Sequence, residues 1–271
     1  MSQNYREMED ILMQELRLYH HPVAVTWLFT DDDVANFKSG TTHVTPVKPI
    51  TFCQWEIAAR MQGLTVVAGR EDLACANARA SFGWKDIDAT DVRHLDRYCV
   101  DPAQAERFLR SKPRLPMNSL RGIAVGPLGK ATVAPHVIHF YCDNMQSYHL
   151  AVDYMAATDT HPLRPLVSMS SAACGGAAFC WMEKTFNLSP CCSGSYNAGK
   201  TERGEVNAFI PGEHLELTVN RLLQRIDKFG SSALTRPGDP FPGADICKNC
   251  PLIAFKQADN CPETCGCRNT C

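Results

Sequence analysis

Cysteine constrains this chain more than any other residue type. There are 14 in 271 residues, and six of them fall in one C-terminal stretch, CKNCPLIAFKQADNCPETCGCRNTC, residues 247–271. Thiols in such number are cross-linked, bind metal or are buried, and each outcome asks for a different fold. The opening run MSQNYREMED lacks the apolar segment of a secretory leader, so the expected compartment is the cytosol. Stable disulfides are rare there and stay open only for an exported or hyperthermophile protein. A chain of this length also buries enough surface to hold a core without covalent staples. Metal binding, redox catalysis and plain burial are what remain.

The tail is spaced C-x2-C-x10-C-x3-C-x-C-x3-C, and Pro251 and Pro262 each follow a cysteine. A C-x2-C pair places two sulfurs on one metal, and proline after a ligand recurs in ferredoxin runs. The spacing is nevertheless neither the ferredoxin run nor a C-x2-C…C-x2-C zinc ribbon. Cys247, Cys250, Cys261, Cys265, Cys267 and Cys271 are therefore expected metal ligands, with iron–sulfur and zinc both open from spacing alone. Six thiols exceed the four that one cluster needs. The preceding TRPGDPFPGAD (235–245), with three prolines and two glycines, reads as a boundary. The expected organisation is a body over 1–234, a linker over 235–246 and a cysteine-rich module over 247–271.

Periodicity within the body alternates. Helical spacing marks 4–20, 51–63, 71–83, 101–111 and 214–229, and Asn144 opens another helix. Asp101 and Pro102 are placed as N-cap and first residue of the 101–111 helix. Short β-rich runs stand at PVAVTWLF (22–29), LTVVAG, GIAVGPL, VIHFYCD (137–143) and EVNAFIP (205–211). The βαβ period is not clean, so the expected class is α/β or α+β, a mixed sheet with flanking helices. Lys+Arg (27) nearly balances Asp+Glu (29), which offers no basic field for nucleic acid. No apolar run approaches the ~18 residues of a membrane span.

Eight cysteines lie in the body. Cys99 and Cys142 read as buried small hydrophobes. Others stand in more reactive contexts. Cys53 opens a predicted helix, where free N–H groups favour thiolate. Cys174 precedes Gly175-Gly176 and another helical run, and Cys191 and Cys192 sit in the Gly/Ser loop SPCCSGSYNAG. Four thiolates converging on one point would hold a cubane cluster or a zinc.

The PVAV run, TFCQWEIAARMQG followed by Cys75, the SPCCSG loop and IPGEHLE together resemble the DUF169 family, over roughly residues 8–228. This is a domain of unknown function common in anaerobic bacteria and archaea. The resemblance implies recurring cysteines at Cys53, Cys75, Cys174 and Cys192 and a cytosolic, anaerobe-type protein. It supplies no reaction. The family loop often carries Arg where this chain has Tyr196, and the tail lies outside the family domain.

GSYNAGKT (194–201) matches the P-loop pattern letter for letter. A P-loop needs a strand before it and a helix after it, whereas NLSPCC reads as a poor strand and EVNAFIP as strand rather than helix. Nucleotide binding is therefore the weakest reading. His20-His21 is expected to close the first helix. His149, Tyr148 and Tyr196 are candidate proton donors by residue type alone.

The function expected from these observations is an iron–sulfur redox enzyme that reduces or desulfurates a small molecule. A [4Fe–4S] cluster on the body cysteines would face the substrate, and a second cluster on the tail would take electrons from a redox partner protein. The alternative is a non-catalytic module carrying zinc or an iron–sulfur centre, for electron transfer or assembly. Nucleic acid and membrane are not expected partners, and homo-oligomer formation stays open.

Overall fold

Short polar residues start the helices. A computed structural model describes residues 4–229 apart from 96, 97 and 169. Within it, Asn4, Thr30, Thr51, Asp101 and Asp143 each accept a hydrogen bond from a first-turn N–H, satisfying a donor the helix leaves free. In chain order the elements are α1 (Tyr5–Glu15), β1 (Val23–Leu28), α2 (Asp31–Gly40), α3 (Phe52–Gln62), β2 (Val66–Ala68), α4 (Ala76–Ser81), α5 (Ala89–Leu95), α6 (Pro102–Arg110), β3 (Gly122–Pro127), β4 (Val137–Cys142), α7 (Asn144–Thr158), α8 (Ala172–Glu183), β5 (Asn187–Pro190), α9 (Ser193–Asn197), β6 (Val206–Pro211) and α10 (Leu215–Phe229).

The six strands form one sheet in the order β2-β3-β1-β4-β6-β5, and every pair in it is antiparallel. The expected mixed sheet is thereby corrected. Parallel pairing is confined to two isolated bridges, Val44 with Val66 and Ile50 with Leu73. A parallel neighbour needs a crossover through a covering helix, and no two neighbouring strands here are joined by a single full-length one.

Alternation along the strands builds two cores. Val23, Val25 and Trp27 of β1 face one side, with Phe52 and Trp55 of α3, Phe82 after α4, Ala177 of α8 and Phe209 of β6. Ala24, Ile138, Phe140, Ala208 and Ile210 face the other, with Leu12 of α1, Leu150 and Tyr154 of α7, and Leu215 and Leu222 of α10. Both faces are covered, so β1, β3 and β4 are buried along their whole length. That burial accounts for the continuous apolar run VAVTWL, where a one-sided sheet would alternate. α8 lies close on the sheet because Gly176 has no side chain. A Cβ there would come within 2.5 Å of the Phe209 ring.

Local boundaries differ from expectation at several points. The helix expected over 71–83 is a 3₁₀ turn at Arg70–Asp72 followed by α4, with Cys75 as N-cap. Asp143, one residue before Asn144, caps α7. His20 and His21 do not close α1. It ends at Glu15, and Arg17 takes a left-handed φ of 49°. Asn187–Pro190, read as a poor strand, pairs with β6. No helix among the described residues is long and apolar enough to cross a membrane. The linker and the tail cysteines lie outside the described residues.

A cysteine-lined candidate site

Each of four cysteines starts a helix. Cys53 is the second residue of α3, Cys75 the N-cap of α4, Cys174 the third residue of α8 and Cys192 the N-cap of α9. Local pairing brings these starts together. The Ile50–Leu73 bridge ties the strand-like entry to α3 against the entry to α4, with Ala74 N–H donating to the Ile50 carbonyl at 2.9 Å. From Cys174, α8 runs down the sheet and β5 returns, which carries Cys192 back to the same level. The ten helical residues from Cys174 to Glu183 at ~1.5 Å and the four of β5 at ~3.3 Å span similar lengths of about 13–15 Å.

All four thiols line one cavity of about 170 Å³. Its other walls are hydroxyls and small side chains, among them Thr51, Ser170, Ser171, Ser193 and Ser195, with Asn77, His94, Tyr98 and Lys200. Among the described residues, no carboxylate lines it. The Ser195 hydroxyl lies 3.2 Å from Cys53 Sγ and 3.4 Å from Cys192 Sγ. Ser171 is 2% exposed, and its Oγ has no hydrogen-bond partner. It makes no side-chain cap, and the first turn of α8 lines the cavity. Burial, then the Glu56 charge, push the Cys53 thiol well up, while the Ser195 hydrogen bond pulls the other way. Burial and the neighbouring Cys75 push Cys174 up to about 12, against the Ser81 hydrogen bond and Lys112.

The donor set suits a metal centre, and its spread suits one kind better. Sulfurs around a single zinc stand about 3.8 Å apart, given Zn–S bonds of about 2.3 Å. Among the described residues, the group with metal-ligand atoms all within 4.8 Å of one another is His20, Glu202 and Glu205, not any three of these cysteines. A cubane takes each sulfur on a different iron and so accepts a wider set. The His20 group is already an ion-pair cluster. Arg60 Nη1 donates to Glu205 Oε1 at 2.7 Å, and Glu202 N–H donates to its other oxygen at 2.8 Å.

A polar network unforeseen from sequence lies under the cavity. Glu56, one turn beyond Cys53 on α3, is fully buried and meets His139 Nδ1 at 2.5 Å and the Tyr141 hydroxyl at 2.6 Å. His139 Nε2 reaches Asn207 Oδ1 at 3.0 Å, and the Arg60 guanidinium lies 4.0 Å over the Tyr141 ring. The available signal was charge on an apolar helix face, Glu56 and Arg60 beside Phe52, Trp55 and Ala59, and a histidine inside an apolar strand.

The remaining candidates lie elsewhere. Cys191 turns from the cavity towards Asn207, whose Nδ2 donates to its sulfur at 3.4 Å. Burial and Glu205 push its thiol up to about 11. Cys142 is buried in the second core, and Cys99 is half-buried beside α5 and α6. Tyr196 is 45% exposed and is not in the cavity wall. His149 is on α7, which covers the opposite face of the sheet. GSYNAGKT forms the single turn α9, and Lys200 leads through turns into β6 rather than into a helix. A phosphate-binding strand–loop–helix is therefore not formed.

Fold and site together define a two-core α/β domain built round a four-sulfur pocket. The chain belongs to the DUF169 family, described as uncharacterised ArCR, whose model matches residues 11–221. That span contains all four cavity cysteines and stops before the tail. No curated protein and no solved structure matches the chain.

Proposed function

We propose that this is an iron–sulfur redox protein of the cytosol. Its body holds a cluster, most simply [4Fe–4S], on Cys53, Cys75, Cys174 and Cys192. The tail cysteines hold a second centre that takes electrons from a partner protein, and the reaction is reduction or desulfuration of a small molecule. One observation carries the reading: four cysteines scattered between positions 53 and 192 line a single cavity in which the described residues offer no carboxylate. When bound, such a cluster supplies one-electron chemistry. The chain's own residues supply the thiolates, the Ser195 hydroxyl between two of them and the first turn of α8.

A complete set of four thiolates also favours a second reading. Every iron of a cubane would then be ligated, leaving none open as a Lewis acid, and the body would pass electrons without binding substrate. Anoxic purification of the full chain, with counts of iron, sulfide and zinc, tests the common core of both. Iron and sulfide are expected in equal amounts, and a colourless protein with stoichiometric zinc would refute it. Replacing all six tail cysteines with serine is expected to leave the body's iron in place. Oxidation of the reduced protein by a small substrate, rather than only by another protein, separates enzyme from carrier.

A further inference from the structure

Lysine is almost never buried without a partner of opposite charge, because its ammonium loses hydration worth several kcal/mol. Lys112 is 9% exposed and sits in the loop after α6. Among the described residues, its ammonium donates one hydrogen bond, to the neutral Asn77 Oδ1 at 3.1 Å, and Asn77 lines the cysteine cavity. No carboxylate pairs with Lys112 among the described residues, whereas Arg114, two residues on, has Asp86 at 3.4 Å. Burial pushes the Lys112 pKa down, and negative charge on Cys174, Cys75 and Cys192 would act the other way. The loop is held in place from the other side, since Leu115 N–H donates to the Ser81 carbonyl at the end of α4.

We propose that Lys112 is the cationic partner of the four-sulfur site, a positioning residue that stabilises negative charge on Cys75, Cys174 and Cys192 and raises the reduction potential of the centre they carry. This rests on the iron–sulfur reading above. Four thiolates around a doubly positive cubane leave two negative charges, and one electron from an external donor makes three. A positive charge held at the cavity wall through Asn77 favours the more negative state. Glu56, behind Cys53, works in the opposite direction, so the pocket is polarised between the two.

The test is a redox titration of the full chain followed by electron paramagnetic resonance, with dithionite as the reductant. Lys112→Met, Lys112→Gln and Lys112→Arg are compared. Gln keeps a hydrogen bond to Asn77 without the charge. With iron and sulfide at native levels, Met and Gln are expected to hold at least tenfold fewer reduced body centres at a fixed potential, a fall of about 59 mV for one electron. Arg is expected to restore the native value. Loss of the cluster in Met and Gln but not in Arg also supports the proposal. An unchanged potential in Met and Gln overturns it, as does loss of the cluster in Arg, which would make the tether to Asn77 the role of Lys112. Absence of iron and sulfide from the native chain refutes the parent reading instead, and the inference with it.

Discussion

Replacing Glu56 with alanine tests the most deeply buried polar group of the site. Its carboxylate accepts from the Tyr141 hydroxyl and pairs with His139, and Glu56 and His139 are fully buried. Hydrogen bonds to a charged group are worth about 1.5–3 kcal/mol each, so two amount to roughly 3–6 kcal/mol. Breaking a buried pair by removing one partner costs about 3–5 kcal/mol, in agreement. Alanine also leaves the Tyr141 and His139 donors without partners and a void beneath α3. For a body of this size each kcal/mol lowers the melting temperature by about 2–4 °C. The expected fall is therefore about 6–20 °C, measured by calorimetry on the full chain. Glu56→Gln keeps the shape and one acceptor and should lose about half as much. In a double-mutant cycle, Glu56→Ala and Tyr141→Phe should be non-additive by about 0.5–3 kcal/mol. A fall below about 3 °C in Glu56→Ala, with additive singles, would refute the assignment of this network as a main brace of α3 and hence of Cys53.

Other outcomes follow from neighbouring contacts. Gly176→Ala forces a Cβ into the Phe209 ring and should cost about 1–3 kcal/mol by overpacking, lifting α8 and lowering iron retention. Gly194→Ala, beside Cys192 but with open space around it, should do neither. Cys192→Ala should reduce iron content, whereas Cys191→Ala, whose sulfur meets Asn207 outside the cavity, should leave it unchanged. His136 Nδ1 accepts the Trp27 N–H at 3.1 Å, and burial, then Lys184, push its pKa below 6.5. The unfolded chain then binds that proton more readily, so stability should fall as pH drops below about 6.5 and stay level above it. His136→Gln, which keeps an acceptor, should flatten that slope in melts across the range.

Sequence reasoning marked the four cysteines that line the cavity, together with Cys191, which does not, and missed what surrounds them, and the reason is physical. A cysteine beside a helix start is a local pattern, so Cys53 and Cys174 could be marked from their neighbours, although Cys174 lies inside α8 rather than before it. Strands buried on both faces betray themselves as unbroken apolar runs, and VAVTWL and VIHFYC were legible for that reason. Strand pairing depends on partners far along the chain. The antiparallel order and the β5 edge therefore appear only in three dimensions. The same holds for Lys112, an ordinary lysine in sequence, whose meaning comes from a loop that packs beside α4 and leaves it without a carboxylate. His149 and Tyr196 were chosen by residue type alone, with no spacing to tie them to the cysteines, and neither reaches the cavity.

The protonation of the pocket separates two chemistries that four thiols could serve. A cysteine that attacks a substrate or a disulfide needs a depressed pKa, because the thiolate is the reactive species. Here burial acts the other way, driving Cys53 well up and Cys174 to about 12, and each thiol further disfavours charge on the next. Helix starts at α3 and α8, the Ser195 hydroxyl and Lys112 all favour thiolate, yet they do not overcome desolvation in the metal-free pocket. The proposed cluster would, since its irons would take the four sulfurs together and displace their protons. On the proposed reading, negative charge would develop at the site as metal arrives. Metal loading should accordingly weaken steeply with falling pH, with several protons displaced per centre. Slow alkylation of Cys53 and Cys174 in the metal-free chain at neutral pH would accompany it. A cavity cysteine that alkylates as quickly as a free thiolate would instead point to nucleophilic catalysis and against a cluster.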